Sequence, residues 1–127
     1  MKRNKKINTF ITMIALILPL TFMLCSCKSD SKYIPGAYRS DFVLNNQHIN
    51  VKVVVDENRI NEISLDDWDE TAATMYPLMQ PALENISQQI YEKQSTEDII
   101  YDEANQYTST VLLKAIEDAL LKAENEK

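Results

Sequence analysis

The chain has few of the residues that nucleotide, metal and catalytic sites commonly use. Its 127 residues include one glycine, Gly36, one histidine, His48, and two cysteines. A loop that wraps closely round a phosphate usually needs residues without a Cβ atom, so a glycine-rich nucleotide-binding loop is excluded. No Ser/His/Asp or HExxH pattern is present, and His48 stands alone on a polar strand face. We therefore expect no catalytic residue, no metal ligand and no independent enzymatic activity.

The N-terminal residues have the pattern of a bacterial lipoprotein signal peptide. Four basic residues in MKRNKK precede an uncharged run of 14 residues, Ile11–Leu24. As a helix this run is roughly 21 Å long and falls short of the ~30 Å hydrocarbon layer, so a removable signal is favoured over a transmembrane span. The run ends in a segment that resembles a lipobox, made of Leu24, Cys25, Ser26 and Cys27.

Cys27 is the predicted lipidation site, because the residue before the cut must be small. Ser26 meets that requirement for Cys27, whereas Leu24 is too large for a cut before Cys25. We predict a signal peptide at residues 1–26, a lipidated tether at 27–34 and one folded domain at 35–127. A chain with two or more acyl groups stays firmly on a bilayer, so the expected location is the cell membrane, lipid-anchored and facing outside the cytoplasm.

Signal removal makes the remaining chain strongly acidic. It takes 26 of the 127 residues and four of the 13 Lys and Arg, leaving nine basic residues against 19 Asp and Glu, a net charge of −10. Such a body repels phosphates, which excludes nucleic acid as a partner. With Cys25 removed and Cys27 lipidated, no thiol remains for a disulfide.

Residues 36–65 alternate between apolar and polar with the period of half-buried strands. Asn45-Asn46 and Asp56–Asn58 separate three such segments and suit tight turns. The pattern therefore predicts an antiparallel meander. Its buried faces are expected to contain Tyr38, Ser40, Phe42 and Leu44 in the first strand, and Ile49, Val51, Val53 and Val55 in the second.

Helices are predicted in the second half of the chain. The acidic cluster Asp66–Glu70 lacks the spacing of a calcium loop and is interpreted as a solvated helix start with an N-cap. A buried stripe follows at Ala72, Met75, Tyr76, Met79, Leu83, Ile86 and Ile90, and Pro77 and Pro81 predict a bend or break near Met75–Gln80. The second piece should end near Lys93, before a loop at Gln94–Asp98, a short strand at Ile99–Tyr101 and a final helix at about Ser109–Ala123. The expected fold class is α+β, a small antiparallel sheet (hairpin meander plus one short strand) with helices packed on one side.

Three segments resemble the FMN-binding domain family of bacterial extracytoplasmic flavoproteins. They are PGAYRS at 35–40, INVKVVVDENRINEI at 49–63 and YTSTVLLKAIEDAL at 107–120. The resemblance implies a flavin mononucleotide, often joined through its phosphate to a threonine, that serves electron transfer at the outer membrane face. It also implies a membrane redox protein as partner.

The family's attachment motif is degenerate in this chain. The family has an aspartate, then Ser/Thr-Gly-Ala-Thr with the last threonine as acceptor. Alignment on the closing helix puts Gln106 at the acceptor position, whereas alignment on Asp102 puts Thr108 there; the helix alignment matches more residues. Neither restores the glycine, and the carboxylates of Asp102 and Glu103 would repel a phosphate. The expected cofactor is therefore FMN held without a covalent bond, with candidate binding residues Asn105, Gln106, Tyr107, Thr108 and Ser109.

Structural interpretations of the same residues remain open. Thr108 and Ser109 are typical caps of the last helix, and Asn105 and Gln106 are typical turn amides. Trp68, Tyr76, Tyr101 and Tyr107 could stack on a flavin ring, but aromatic residues at element boundaries more often close a core. The alternative function is a cofactor-free binding or assembly module that presents its acidic surface to a cell-envelope protein.

Overall fold

Three antiparallel strands and three α-helices form the part of the chain, residues 30–124, that the computed structural model describes. In chain order they are β1 (Gly36–Leu44), β2 (Gln47–Val55), β3 (Ile60–Asp66), α1 (Glu70–Met75), α2 (Met79–Lys93) and α3 (Gln106–Ala123), with a 3₁₀ turn at Glu103–Asn105. The predicted α+β class is confirmed. None of these helices combines the length and apolarity needed to cross a bilayer. The predicted signal peptide, lipobox and Cys27 lie outside the described residues.

The sheet has the order β1-β2-β3 and both pairings are antiparallel, as the alternating pattern predicts. Asn45 and Asn46 join β1 to β2 with φ angles of 49° and 65°, the positive values that a two-residue hairpin turn favours. Asp56 starts the next turn, where its Oδ1 accepts the N–H groups of Asn58 at 2.9 Å and Arg59 at 2.8 Å. These two turns help to set the register in which the three strands pair.

One face of the sheet is buried under the helices. α3 packs beneath β1 and β2, and α2 packs against α3 and β3. The predicted inward residues of β2 are all buried, and the core is completed from the helices, chiefly by Ile86, Ile90, Leu112 and Ile116. Tyr33, assigned to the tether from sequence, is also buried, and the N–H of Ile34 donates to the Ala123 carbonyl at 2.8 Å. The chain therefore packs against the domain two residues before Pro35.

The predicted helix break is confirmed. Asp69 is the N-cap of α1, where its carboxylate accepts the Ala72 N–H at 2.7 Å, and the helix ends at Met75, two residues before Pro77. Pro81 is the third residue of α2, where a missing N–H removes no intrahelical bond. The expectation that Met75 is buried is wrong: its side chain is 58% exposed, because α1 ends there and the periodicity no longer directs it inward.

The short strand predicted at Ile99–Tyr101 is absent from the described sheet. A side chain replaces the missing strand partner: Gln89 of α2 accepts the Ile100 N–H at 2.9 Å and donates to the Ile100 carbonyl at 2.8 Å. Both backbone groups of Ile100 are thus hydrogen-bonded without a neighbouring strand. Its apolar residues reflect strand propensity, but Ile100 is exposed instead of packed.

The final helix starts three residues earlier than predicted, at Gln106. Asp102 instead caps the preceding 3₁₀ turn, since its Oδ1 accepts the Ala104 N–H at 3.3 Å. Thr108 and Ser109 therefore lie inside the first turn of α3, and the interpretation of these hydroxyls as N-caps is wrong.

Candidate functional site

The five candidate residues occupy the N-terminal turn of α3, but their side chains diverge. Successive residues of an α-helix are rotated by ~100°. Gln106 and Tyr107 accordingly face solvent, Tyr107 with 72% of its surface exposed, while Thr108 is half-buried and Ser109 is buried. The sequence motif therefore does not form one ligand-binding surface. Thr108 borders an apolar cleft, whereas Gln106 and Tyr107 border a separate, open surface depression.

Asn105 occupies the N-cap position of α3 without capping it. Its backbone has φ −118° and ψ 11°, and its side chain accepts no bond from the first-turn N–H groups. The Asn105 Oδ1 atom is buried and makes no hydrogen bond within the described residues. This oxygen is an acceptor available for a donor, such as an N–H or hydroxyl, and it offers nothing to an anion.

An apolar cleft lies at the end of the sheet where β1 finishes. Its volume is about 200 Å³, and three separate segments line it: Leu44 at the end of β1, Met75–Met79 at the α1–α2 break, and Thr108 of α3. Met75 and Leu78 are large apolar side chains left 58% and 48% exposed at its rim. Such residues on one open rim mark a surface that can bind an apolar group.

Tyr76 is the one candidate aromatic residue that lines this cleft. Its hydroxyl donates to the Leu44 carbonyl at 3.2 Å, which ties the α1–α2 break to the end of β1. Its ring lies 6.4 Å from that of Trp68, tilted by 38°, so Trp68 supports it from the side. Tyr101 and Tyr107 line shallow surface depressions elsewhere and do not join them.

The charge near the cleft is unfavourable for a phosphate. No Lys, Arg or His belongs to the described cleft lining. Asp102 and Glu103 lie six and five residues before Thr108 along the chain, and Glu103 borders the depression that Tyr107 lines. An anionic group at the N-terminus of α3 would therefore meet carboxylates without a balancing cation.

The other polar clusters have structural partners. Asp66 forms an ion pair with Arg39 and Asp69 caps α1, so the acidic cluster is not directed at one point. His48 lies on the surface, 3.3 Å from an oxygen of Asp41. Within residues 30–124 no three His, Cys, Asp or Glu side chains are grouped to hold a metal ion.

Comparisons with protein-family models, with curated proteins and with solved structures found no match for this chain. Sequence reasoning named Thr108 and Tyr76 but missed Leu44, Met75 and Leu78 as lining residues. The available signal was the pair of prolines, because a helix broken at Pro77 exposes apolar residues that an unbroken stripe would bury.

Proposed function

We propose that the chain is a lipid-anchored, extracytoplasmic module that binds the ring of a flavin without a covalent bond. The observation behind this proposal is the open apolar cleft that borders Thr108. It lies at the start of the helix whose sequence resembles the closing helix of the FMN-binding domain family. When bound, a flavin supplies reversible electron transfer, and the protein supplies its position and surroundings.

The cleft suits part of a flat apolar ring. Pockets for small molecules usually measure about 300–1,000 Å³, and this cleft, at about 200 Å³, is smaller. A ring inserted between Leu44 and the rim residues Met75 and Leu78 would keep one edge in solvent. The Thr108 hydroxyl is the polar group that borders the same space and can form a hydrogen bond to a ring edge.

The residues present do not suit the phosphate of FMN. No glycine lets the backbone amides converge there, and Asp102 and Glu103 are placed to repel the anion. Gln106, at the acceptor position of the favoured alignment, has no hydroxyl to esterify. We therefore infer that the ring provides the binding energy and that any phosphate stays in solvent.

The experiment is a fluorescence titration of the purified chain with riboflavin and with FMN. We expect both to bind, with riboflavin at least as tight as FMN, and no fluorescent band in a denaturing gel. Leu78→Asp should weaken riboflavin binding at least tenfold, since it puts a charge on the cleft rim. Ile34→Asp is the matched control, because Ile34 is 49% exposed against 48% for Leu78 and lies outside the cleft.

Three results would overturn the proposal. A protein that ignores both flavins does not hold the ring, and equal losses in the two variants would mean that the cleft is not the site. A fluorescent denatured band would show covalent attachment, and Thr108→Ala would then test whether that hydroxyl is the acceptor.

The second candidate is a cofactor-free binding module of the cell envelope. The observation that favours it is the pair of carboxylates, Asp102 and Glu103, just before α3, together with the lack of a Lys, Arg or His among the described lining residues of the cleft. Such a module would use the apolar rim and the acidic surface for a protein partner instead of a flavin. Failure of both flavins to bind favours this candidate.

A further inference from the structure

The two edge strands of the sheet, β1 and β3, differ in how far their outward backbone groups are hydrogen-bonded. On the β3 edge, the Ile63 N–H donates to the Tyr91 hydroxyl at 2.7 Å, and the Ile60 N–H donates to Gln94 Oε1, also at 2.7 Å. Gln94 Nε2 donates in turn to the Ile60 carbonyl at 3.3 Å. Side chains from α2 therefore occupy backbone groups that another strand would use. Proteins commonly protect exposed edge strands in this way.

The same bonds show which way the backbone groups of β2 point. Because the Ile63 N–H faces away from β2, Ile63 and Val53 form a non-hydrogen-bonded pair. Val53, and the residues two positions before and after it in β2, must then direct their N–H and C=O groups to β1. Val53 pairs with Tyr38, so the backbone N–H and C=O of Tyr38 are bonded to β2. The N–H and C=O of the next residue, Arg39, are not.

Arg39 therefore points its backbone N–H and C=O away from the sheet. A separate contact agrees: Lys122 Nζ of α3 reaches round the edge and donates to the Arg39 carbonyl at 2.5 Å. By alternation, Ala37, Asp41 and Val43 point the same way. Within residues 30–124 this Lys122 contact is the sole hydrogen bond to those outward backbone groups. Among the described residues, therefore, the outward backbone groups of β1 are unbonded along nearly the whole strand.

We propose that β1 is a dimerisation edge, on which a second copy of this chain adds its own β1 antiparallel, with Ser40 on the two-fold axis. This register overlaps all nine residues of Gly36–Leu44. It forms hydrogen-bonded pairs between Arg39 and the partner's Asp41, and between Ala37 and the partner's Val43. The result is a continuous sheet of six strands.

Charge selects this register over its neighbours. With Ser40 on the axis, each Arg39 lies opposite a carboxylate, at the ~5.5 Å Cα separation of a hydrogen-bonded pair. A shift of the axis by one residue puts Arg39 opposite Arg39, or Asp41 opposite Asp41. Like charges directly opposite each other destabilise a sheet, so both shifted registers are disfavoured.

The buried face of β1 agrees with the same register. It places the half-buried ring of Tyr38 opposite the partner's Phe42, and cross-strand aromatic pairs stabilise sheets. Lys122 must release the Arg39 carbonyl when the partner arrives. Lys122 bonds one of the eight outward N–H and C=O groups of β1. On the β3 edge, by contrast, the N–H groups of both Ile60 and Ile63 are bonded to side chains of α2 and its C-cap. A β-edge partner therefore meets the least obstruction at β1.

Cysteine cross-linking of the full chain in membranes tests the register. Paired Cα atoms ~5.5 Å apart lie within disulfide range. The double variant Ala37→Cys/Val43→Cys should thus form a covalent dimer on a non-reducing gel. Each single variant is the matched control, because equivalent positions are displaced by six residues, or about 20 Å. No more dimer in the double variant than in the single variants would overturn the proposal.

Charge reversal in chains that also carry Ala37→Cys and Val43→Cys tests whether the Arg39–Asp41 pairs select the register. Asp41→Arg alone puts like charges opposite each other and should reduce the dimer at least tenfold, and Arg39→Asp alone should do the same. Co-expressed with different tags, the two chains should form the heterodimer, because opposite charges again face each other. Undiminished Asp41→Arg homodimers, or no recovery in the mixture while both chains retain their wild-type thermal unfolding, would refute the register.

Discussion

Replacing Gln94 with alanine should destabilise the domain by about 2–3 kcal/mol. Gln94 ends α2 with a left-handed φ of 52°, and its side chain is bonded to both backbone groups of Ile60 and to the Tyr91 carbonyl at 3.0 Å. Ile60 is only 2% exposed, and removal of the Gln94 side chain takes the acceptor from its N–H. An unsatisfied buried group costs about 1–3 kcal/mol, and the weakened carbonyl bonds add to that cost.

The glycine variant separates the side chain from the backbone. Gln94→Gly loses the same three bonds, but glycine adopts a positive φ without the penalty of roughly 1–2 kcal/mol that other residues bear. We therefore expect Gln94→Gly to be about 1 kcal/mol more stable than Gln94→Ala and still less stable than the wild type. Gln88→Ala is the control, since Gln88 is exposed on the same helix and should change stability by less than ~0.5 kcal/mol.

Urea unfolding followed by far-UV circular dichroism measures these differences from the shift in midpoint at constant slope. If Gln94→Ala falls within ~0.5 kcal/mol of the wild type, the side chain does not stabilise the β3 edge. If Gln94→Gly exceeds the wild type, the left-handed backbone outweighs the three hydrogen bonds and the reasoning above is refuted.

Two further predictions concern the anchor and the pH dependence of stability. Cys27→Ser should abolish labelling by radioactive fatty acid and membrane retention, whereas Cys25→Ser should leave both intact; labelling that depends on Cys25 would contradict the predicted cleavage site. Hydrogen bonds from the Asn58 N–H, the Asn61 side chain and the Arg59 N–H lower the pKa of Asp56 below its ordinary 3.8. Because the folded pKa is the lower one, this stabilisation is present above pH ~3.8 and is lost as the pH falls through the folded value. Asp56→Asn should therefore flatten the decline in melting temperature below about pH 4, and an unchanged decline would rule out this carboxylate as a source.

Local signals were sufficient for most of the fold. Asn45 and Asn46 accept positive φ, Asp69 caps α1 with its own carboxylate, and a proline such as Pro77 is not tolerated in the interior of a straight helix. Each of these effects acts within a few residues, so the sequence predicts it directly. The strand faces follow for the same reason, since alternation needs no knowledge of the partner strand.

The wrong predictions depended on distant residues or on competing signals. Ile99–Tyr101 has the propensity of a strand, but pairing needs a neighbour, and the Gln89 side chain occupies that place. The start of α3 was misplaced because several nearby polar residues can cap a helix. Asp102 caps the 3₁₀ turn at Glu103–Asn105, and α3 follows directly at Gln106 without a side-chain cap. The cleft was missed because it exists where three segments meet that are remote in sequence.

The cleft and the β1 edge share one residue, yet they can be tested separately. Leu44 lines the cleft, and in the proposed dimer it lies opposite the partner's Gly36. Gly36 is not required by the monomer: its φ is not positive, and an added Cβ would meet the Tyr38 ring at 3.4 Å, an ordinary contact. In the dimer, glycine adds no side chain beside Leu44, so both clefts stay open at opposite ends of the shared sheet. Leu78→Asp should accordingly weaken riboflavin binding at least tenfold without reducing the cross-linked dimer. Asp41→Arg should reduce the dimer at least tenfold without weakening riboflavin binding. If either variant lost both riboflavin binding and the dimer, pairing at β1 would change the shape of the cleft. That result would contradict the inference that Gly36 lets the two sites act independently.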